Sequence, residues 1–191
     1  IQINGQLVRL VDTPGFDDTN ITDTHVLDMI VTWMGVHQAM QDQVRRDLYM
    51  RDITEYRMKG SDVGNLRLFR ALCGTTGLKN VVIVTIKWNM MTNTMELAEN
   101  CEKELKADYL KPMLASGAEY ARDDGTSQSS QGILRRVRQK NKAFYLDVQR
   151  EIIDEDKRLS QVEGGKVFQE QLLEARHKYK ARLKSLSEEL K

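Results

Sequence analysis

Apolar residues follow two different rhythms along this chain. Through roughly the first two thirds they gather in short runs separated by helical spacing; beyond that they recur only at helical intervals. Ile1 to Ile3, Asn4-Gly5 and Gln6 to Asp12 read as a hairpin, because Asn-Gly tolerates positive φ at both turn positions. Leu7, Val8, Leu10 and Val11 predict a mostly buried strand ending at Asp12. Thr13 to Thr22, rich in Asp, Gly, Pro and Thr, reads as a loop. Thr22 or Asp23 then caps a helix whose apolar face is Val26, Leu27, Ile30, Val31, Trp33 and Met34. Leu48 to Ile53 predicts a strand, Thr54 to Asn65 a polar loop, and Leu66 to Leu72 a helix stopping at Cys73-Gly74. The run Val81-Val82-Ile83-Val84-Thr85-Ile86 is continuous and β-branched, as in a central strand of a parallel sheet covered on both faces. A helix from about Met95 to Leu114 follows. Strands alternating with helices in this order predict an α/β sheet with crossover helices.

The composition changes at Asp123 to Gln131, a run of Asp, Gly, Thr, Ser and Gln that reads as a loop or hinge. Past it no strand signal occurs. Leu134, Val137, Phe144, Val148, Ile152 and Leu159 keep helical spacing until Gly164-Gly165 interrupts it. Phe168, Leu172, Ala175, Tyr179, Leu183, Leu186 and Leu190 then form a heptad-like seam, near the lower length for a coiled coil. The expected division is therefore an α/β portion over residues 1–127 and a helical extension over 128–191.

Charge narrows the partners. Lys plus Arg is 29 and Asp plus Glu is 28, a net charge of +1, which gives no electrostatic case for nucleic acid. The basic run Arg135, Arg136, Arg138, Lys140 and Lys142 has no interleaved stacking aromatics and reads as a solvated helix face. The longest apolar run is too short to span a bilayer, and no signal peptide opens the chain. The two cysteines, Cys73 and Cys101, match no metal spacing and suit a reducing, cytoplasmic compartment. Ile1 rather than Met opens the chain, which reads as a fragment, a processed product or an incomplete gene model.

The sharpest chemical signal is Asp12-Thr13-Pro14-Gly15-Phe16-Asp17-Asp18-Thr19. In P-loop nucleotide hydrolases an acid at a strand tip holds magnesium, usually through water. A glycine three residues later lets a backbone N–H approach the γ-phosphate, which a side chain would obstruct. Turn chemistry alone also favours Asp-Thr-Pro-Gly after a strand. This segment resembles the switch II motif of the septin-like and immunity-associated GTPases, of the type found in fungi. The resemblance runs from about residue 6 to about residue 165. It takes in Arg57, Gly60 and Ser61, then Leu72-Cys73-Gly74, then Asn80 to Trp88. It implies an incomplete three-layer P-loop G-domain sheet with a long-helix or coiled-coil extension.

The family reads its base with Asn or Thr, Lys, any residue and Asp, or with Thr-x-x-Trp-Asp. Here Thr85-Ile86-Lys87-Trp88-Asn89 supplies the threonine, the lysine and the tryptophan, and Asn89 stands where the family has aspartate. Aspartate accepts two hydrogen bonds from guanine, whereas asparagine offers one acceptor and one donor. The donor would face the guanine amino group, at a cost of about 1–3 kcal/mol. A base with a carbonyl at that position would fit Asn89 better.

One family element is missing from this chain. The phosphate loop G-x-x-x-x-G-K-S/T occurs nowhere in it. Gly164-Gly165-Lys166 is a decoy, with Ser160 in place of the first glycine and Val167 in place of the Ser or Thr. In the family that loop precedes D-x-x-G by a unit of roughly 30 residues, and only 11 residues precede Asp12. The sheet would then expose an edge and apolar surface.

The expected sites are therefore Asp12 for Mg²⁺, and Asp12, Thr13, Gly15, Lys87, Trp88 and Asn89 for GTP or GDP, with no catalytic residue in this chain. The parent would be a GTP hydrolase, with this chain alone inactive. The alternative is a non-catalytic pseudo-GTPase scaffold acting through its C-terminal helices. The resemblance also implies a homo-oligomer or protein partner. His25, His37 and His177 are far apart and read as surface or helix residues, and Asp17 and Asp18 as loop-ordering groups.

Overall fold

A computed structural model describes residues 2–3, 6–16, 21–39, 46–139, 146–155, 157–167, 169–170 and 173. The protein is α/β. Its centre is a parallel sheet of three strands, β3 (Asp47–Asp52), β4 (Val81–Ile86) and β5 (Glu119–Arg122), in the order β3-β4-β5. Ahead of it, β1 (Gln2–Ile3) and β2 (Gln6–Leu7) pair antiparallel, with Gln2 opposite Leu7 and Ile3 opposite Gln6. The helices are α1 (Asp23–Ala39), α2 (Gly60–Gly77), α3 (Met95–Glu104), α4 (Lys111–Ala115), α5 (Ser127–Gln139) and the short α6 (Asp147–Gln149).

Strand β4 is central, as its unbroken apolar run predicts: Val81, Val82 and Ile83 are fully buried. Alternation sends Val81 and Ile83 to one face, where they join Leu27 and Met34 of α1, Leu66 and Leu72 of α2, and Met113. Val82 and Val84 face the other way, against Ala121 of β5 and Ile133 of α5. Each such burial stabilises by about 1.5–3 kcal/mol. Leu146, Val148 and Val162 pack in the same cluster as α1 and α2. Residues 163–167 are helical, and a Cβ on Gly164 would come within 2.7 Å of Leu72.

The structure corrects several expectations. The strand expected to end at Asp12 is only the two residues of β2; Val8 to Gly15 form no ladder, and Leu10 and Val11 are 53% and 45% exposed. Apolar sequence makes a buried strand only where a neighbour supplies both hydrogen bonds and a face, and none of the described residues does so here. Helix α2 starts at Gly60 rather than Leu66, because the Asp62 carboxylate accepts the Lys59 N–H at 2.8 Å and fixes an earlier first turn. The expected stop at Gly74 is a kink with φ 64° and ψ 173°, after which the helix resumes to Gly77. Strand β5 is short, and its Glu119 and Arg122 hid it from a hydrophobic reading. The loop expected over Asp123 to Gln131 closes at Ser127, where α5 begins. The heptad seam from Phe168 to Leu190 lies almost wholly outside the described residues.

At the amino end of the sheet, Arg46 donates to Glu119 Oε1 at 2.9 Å, and Asp47 Oδ2 is buried with no hydrogen-bond partner. Burial pushes the Asp47 carboxyl up to about 7. A carboxyl pKa raised on folding means that the native state binds the proton more tightly. Its contribution is thus most favourable at low pH and is lost as pH rises from about 4 towards 7. Asp47→Asn is expected to raise stability by about 2 kcal/mol at pH 8 and to change little at pH 4. That is below the ideal linkage value, since the amide brings a buried donor of its own. Urea unfolding of both proteins at pH 4, 6 and 8 tests it; an unchanged difference across that range would remove Asp47 as the source.

Among the described residues no helix is long and apolar enough to cross a membrane.

Candidate functional site

Parallel sheets present ligands at the carboxyl ends of their strands, where the loops diverge. Two loops meet at that end here, one after β4 and one after β5. Lys87 follows β4 in the left-handed conformation, φ 66° and ψ 26°, and is the one non-glycine residue with positive φ among those described. That conformation costs a lysine about 1 kcal/mol and must be held by its surroundings. Its ammonium meets Asp52 Oδ2, at the end of β3, at 2.5 Å. Asp52 Oδ1 also accepts the Thr54 N–H at 2.8 Å and the Thr54 hydroxyl at 2.7 Å. Burial would push the Asp52 carboxyl up, but the bonds from Lys87 and Thr54 hold it below its ordinary value. The bond to Asp52 in turn raises Lys87.

The reversal at Lys87 turns Trp88 inward onto Ile53, Met91 and Ala98. The indole N–H donates to Thr85 Oγ1 at 2.9 Å, and the Thr85 and Tyr120 hydroxyls lie 2.8 Å apart. The Arg122 guanidinium stacks 4.0 Å from the Trp88 ring centroid. Glu102 of α3 receives Arg122 through two bonds of 2.7 and 2.6 Å and pairs with Lys106 at 3.2 Å. Tyr120 also reaches Glu102, which closes a ring of contacts from Glu102 through Arg122, Trp88, Thr85 and Tyr120. Burial opposes ionisation of Glu102, yet the bonds from Arg122, Tyr120 and Lys106 hold its carboxyl down at about 2. Burial raises the Tyr120 hydroxyl. None of Glu102, Tyr120, Arg122 or Asp52 stands out in the sequence. Only the register of β4 with β5, which places Thr85 opposite Arg122 and Ile83 opposite Tyr120, joins them.

Asn89 follows Trp88 and is exposed. Its side chain lies against the second loop: a Cβ on Gly125, φ 81°, would come within 3.2 Å of Asn89 Nδ2. The Asp123 N–H donates to Thr85 O at 2.7 Å and ties this loop to β4. Asp124 Oδ1 accepts the Thr126 N–H at 2.9 Å and its hydroxyl at 2.7 Å, which orders the entry to α5 and holds the Asp124 carboxyl low. An open cleft of about 630 Å³ runs beside it, lined by Lys106, Tyr120, Arg122, Asp124, Thr126 and Arg136.

The structure thus places Lys87, Trp88 and Asn89 in one ordered turn. Asp12, Thr13 and Gly15 are exposed and lie outside the sheet, and Asp12 is not at a strand tip. Among the described residues no hydrogen bond or ion pair joins them to the Lys87–Asn89 turn. No cluster of three His, Cys, Asp or Glu side chains suited to a metal occurs among the described residues. Magnesium at Asp12 would need ligands from a phosphate chain rather than from other side chains.

Compared with known proteins, the chain matches no family model and no curated relative.

Proposed function

We propose that the chain is the base-recognition side of a GTP-binding switch of the P-loop G-domain type, inactive by itself. The observation that carries this reading is the Lys87-Trp88-Asn89 turn at the carboxyl end of the central parallel strand, braced from below and adjoining the Gly125 loop. In this reading Lys87, Trp88 and Asn89 border the base. Asp12 orders Mg²⁺ and the Gly15 N–H senses the γ-phosphate only when a phosphate loop is supplied, because no G-x-x-x-x-G-K-S/T sequence is present to cradle the phosphates. GTP or GDP and Mg²⁺ are the cofactors, and a cytoplasmic protein partner or second copy is the responder.

A second reading, a pseudo-GTPase scaffold without catalysis, has its own support. Asp12, Thr13 and Gly15 stand exposed and unlinked to the base turn, and Asn89 weakens guanine selectivity.

The purified 191-residue chain is expected to show no saturable Mg²⁺-dependent GTP hydrolysis above a buffer blank. In NMR titrations, millimolar xanthosine diphosphate is expected to shift the amides of Lys87, Trp88, Asn89 and Gly125. Its apparent affinity should be about tenfold above that of guanosine diphosphate, from the donor–acceptor match at Asn89. Hydrolysis by this chain would overturn its assignment as inactive. If neither nucleotide moves those amides, the base-recognition reading fails and the scaffold reading stands.

A further inference from the structure

Lys87 joins two parts of the chain that packing holds in place. Before it, Ile86 O accepts the Ile53 N–H at 3.2 Å and completes the pairing of β3 with β4. After it, Trp88 is buried and donates its indole N–H to Thr85. The chain has to reverse at this one residue, and it does so at φ 66°. The left-handed region disfavours a lysine on the order of tenfold, whereas a glycine would take it freely.

Asp52 meets the side chain of that strained residue. Its carboxylate is itself fixed: Oδ1 is taken by the Thr54 N–H and the Thr54 hydroxyl, and Oδ2 is left for the Lys87 ammonium. The neighbouring cation does not compete for it, because Arg51 is spent on Glu55 at 3.2 Å and on Asp62 at 3.1 Å. Glu55, the other carboxylate whose charge Lys87 feels, is that same partner of Arg51. Asp52 is thus the group to which Lys87 is tied, and it sits on a different strand from the turn it ties.

We propose that Asp52 is a positioning residue for the Lys87–Asn89 turn: by holding the Lys87 ammonium at the end of β3, it keeps the left-handed reversal closed and sets where Asn89 stands against the Gly125 loop. The brace follows from geometry alone; its part in recognition rests on the base-recognition reading. Within that reading Lys87 offers a base its methylene stem rather than a free cation, since its charge is neutralised inside the fold.

An exposed pair contributes a factor of only about two to five, so the burial of Trp88 offsets the rest of the strain and the effect has to be read locally. The Met90 N–H donates to Lys87 O at 3.0 Å and closes the turn, so its hydrogen exchange counts the open form. In the nucleotide-free 191-residue chain, Asp52→Ala is expected to speed exchange of the Met90 amide about fivefold relative to that of Ile83 in the sheet. Thr54→Ala removes a bond at the same strand end but keeps the Lys87 pair, and should leave the rate unchanged. Lys87→Gly in the Asp52→Ala background should return it to within about twofold of wild type, because glycine adopts φ 66° without steric cost. Xanthosine diphosphate should bind Asp52→Ala about fivefold more weakly than wild type. An unchanged Met90 rate in Asp52→Ala overturns the proposal. So does a rise that Thr54→Ala reproduces or that Lys87→Gly fails to reverse, since its cause then lies outside the left-handed residue. Xanthosine diphosphate that shifts the wild-type amides yet binds Asp52→Ala as tightly removes Asp52 from recognition. If no nucleotide shifts the wild-type amides, the base-recognition reading fails, and the Met90 exchange, measured without nucleotide, still decides the brace.

Discussion

Gly74→Ala is expected to destabilise the protein by about 4 kcal/mol, from backbone strain and a core clash together. Gly74 sits at φ 64° and ψ 173°, a region that essentially only glycine occupies. A Cβ there would come within 1.7 Å of Asp147 Oδ2 and 2.5 Å of Asp147 Cβ. Rotating the Asp147 carboxylate away relieves the first contact but not the second, so the backbone of α6 has to move. That helix carries Val148, which is 1% exposed in the main cluster, and Asp147 accepts a bond from Thr76 at 3.2 Å across the same junction. The loss should appear as a lower urea midpoint for the whole chain. A variant within about 0.5 kcal/mol of wild type would show that α6 does not dock on α2 as described. Asp147→Gly in the alanine background separates the two causes: with the 147 Cβ gone the clash is relieved and the strain at residue 74 is left.

Glu102→Ala is expected to cost about 3 kcal/mol and to loosen the Lys87–Asn89 turn. Glu102 is 5% exposed and receives Arg122, Lys106 and Tyr120. The cost is below that of a fully buried pair, because Arg122 is partly exposed and can turn to water. Once free it leaves the Trp88 ring, and the indole loses the cation stacked 4.0 Å from it. Trp88 fluorescence and near-UV dichroism should therefore change with the stability, which simple truncation elsewhere in α3 would not produce. The pH profile follows from the low carboxyl value. Glu102 lies near 2 when folded and near 4.5 when unfolded, so its stabilisation is present above about 4.5 and lost as pH falls through 2. Wild type and Glu102→Ala should converge in stability towards pH 2. Parallel curves down to that pH would show that the ion pairs contribute nothing.

The two replacements probe parts of the molecule that were unequally legible. Val81 to Ile86 needed no partner to be recognised, because a continuous β-branched run has few other stable fates than a doubly covered strand. Gly74 was legible as a break, though not as the kink against which α6 packs. Lys87, Trp88 and Asn89 were marked by resemblance to a family motif, with Asn89 standing where the family has aspartate. Glu102 was invisible as anything but one more helical acid. Its importance comes from Arg122 and Tyr120, 20 and 18 residues later, on a strand too short and too charged to announce itself. The segment from Leu7 to Asp12 was legible in composition and misleading in outcome. Its apolar residues specify what it would do beside a neighbour, and beyond Leu7, which pairs with Gln2, no described strand lies beside it.

Local chemistry therefore settled the elements that are decided within a few residues: the pairing of β1 with β2, the central strand and the glycine break. Those follow from steric limits on φ and from hydrophobic period, both properties of contiguous chain. Which strand lies at which edge, which carboxylate meets which guanidinium, and which backbone groups are left pointing outward were decided by packing. They depend on distances between residues far apart in the chain, and those distances exist only once the sheet has closed around β4.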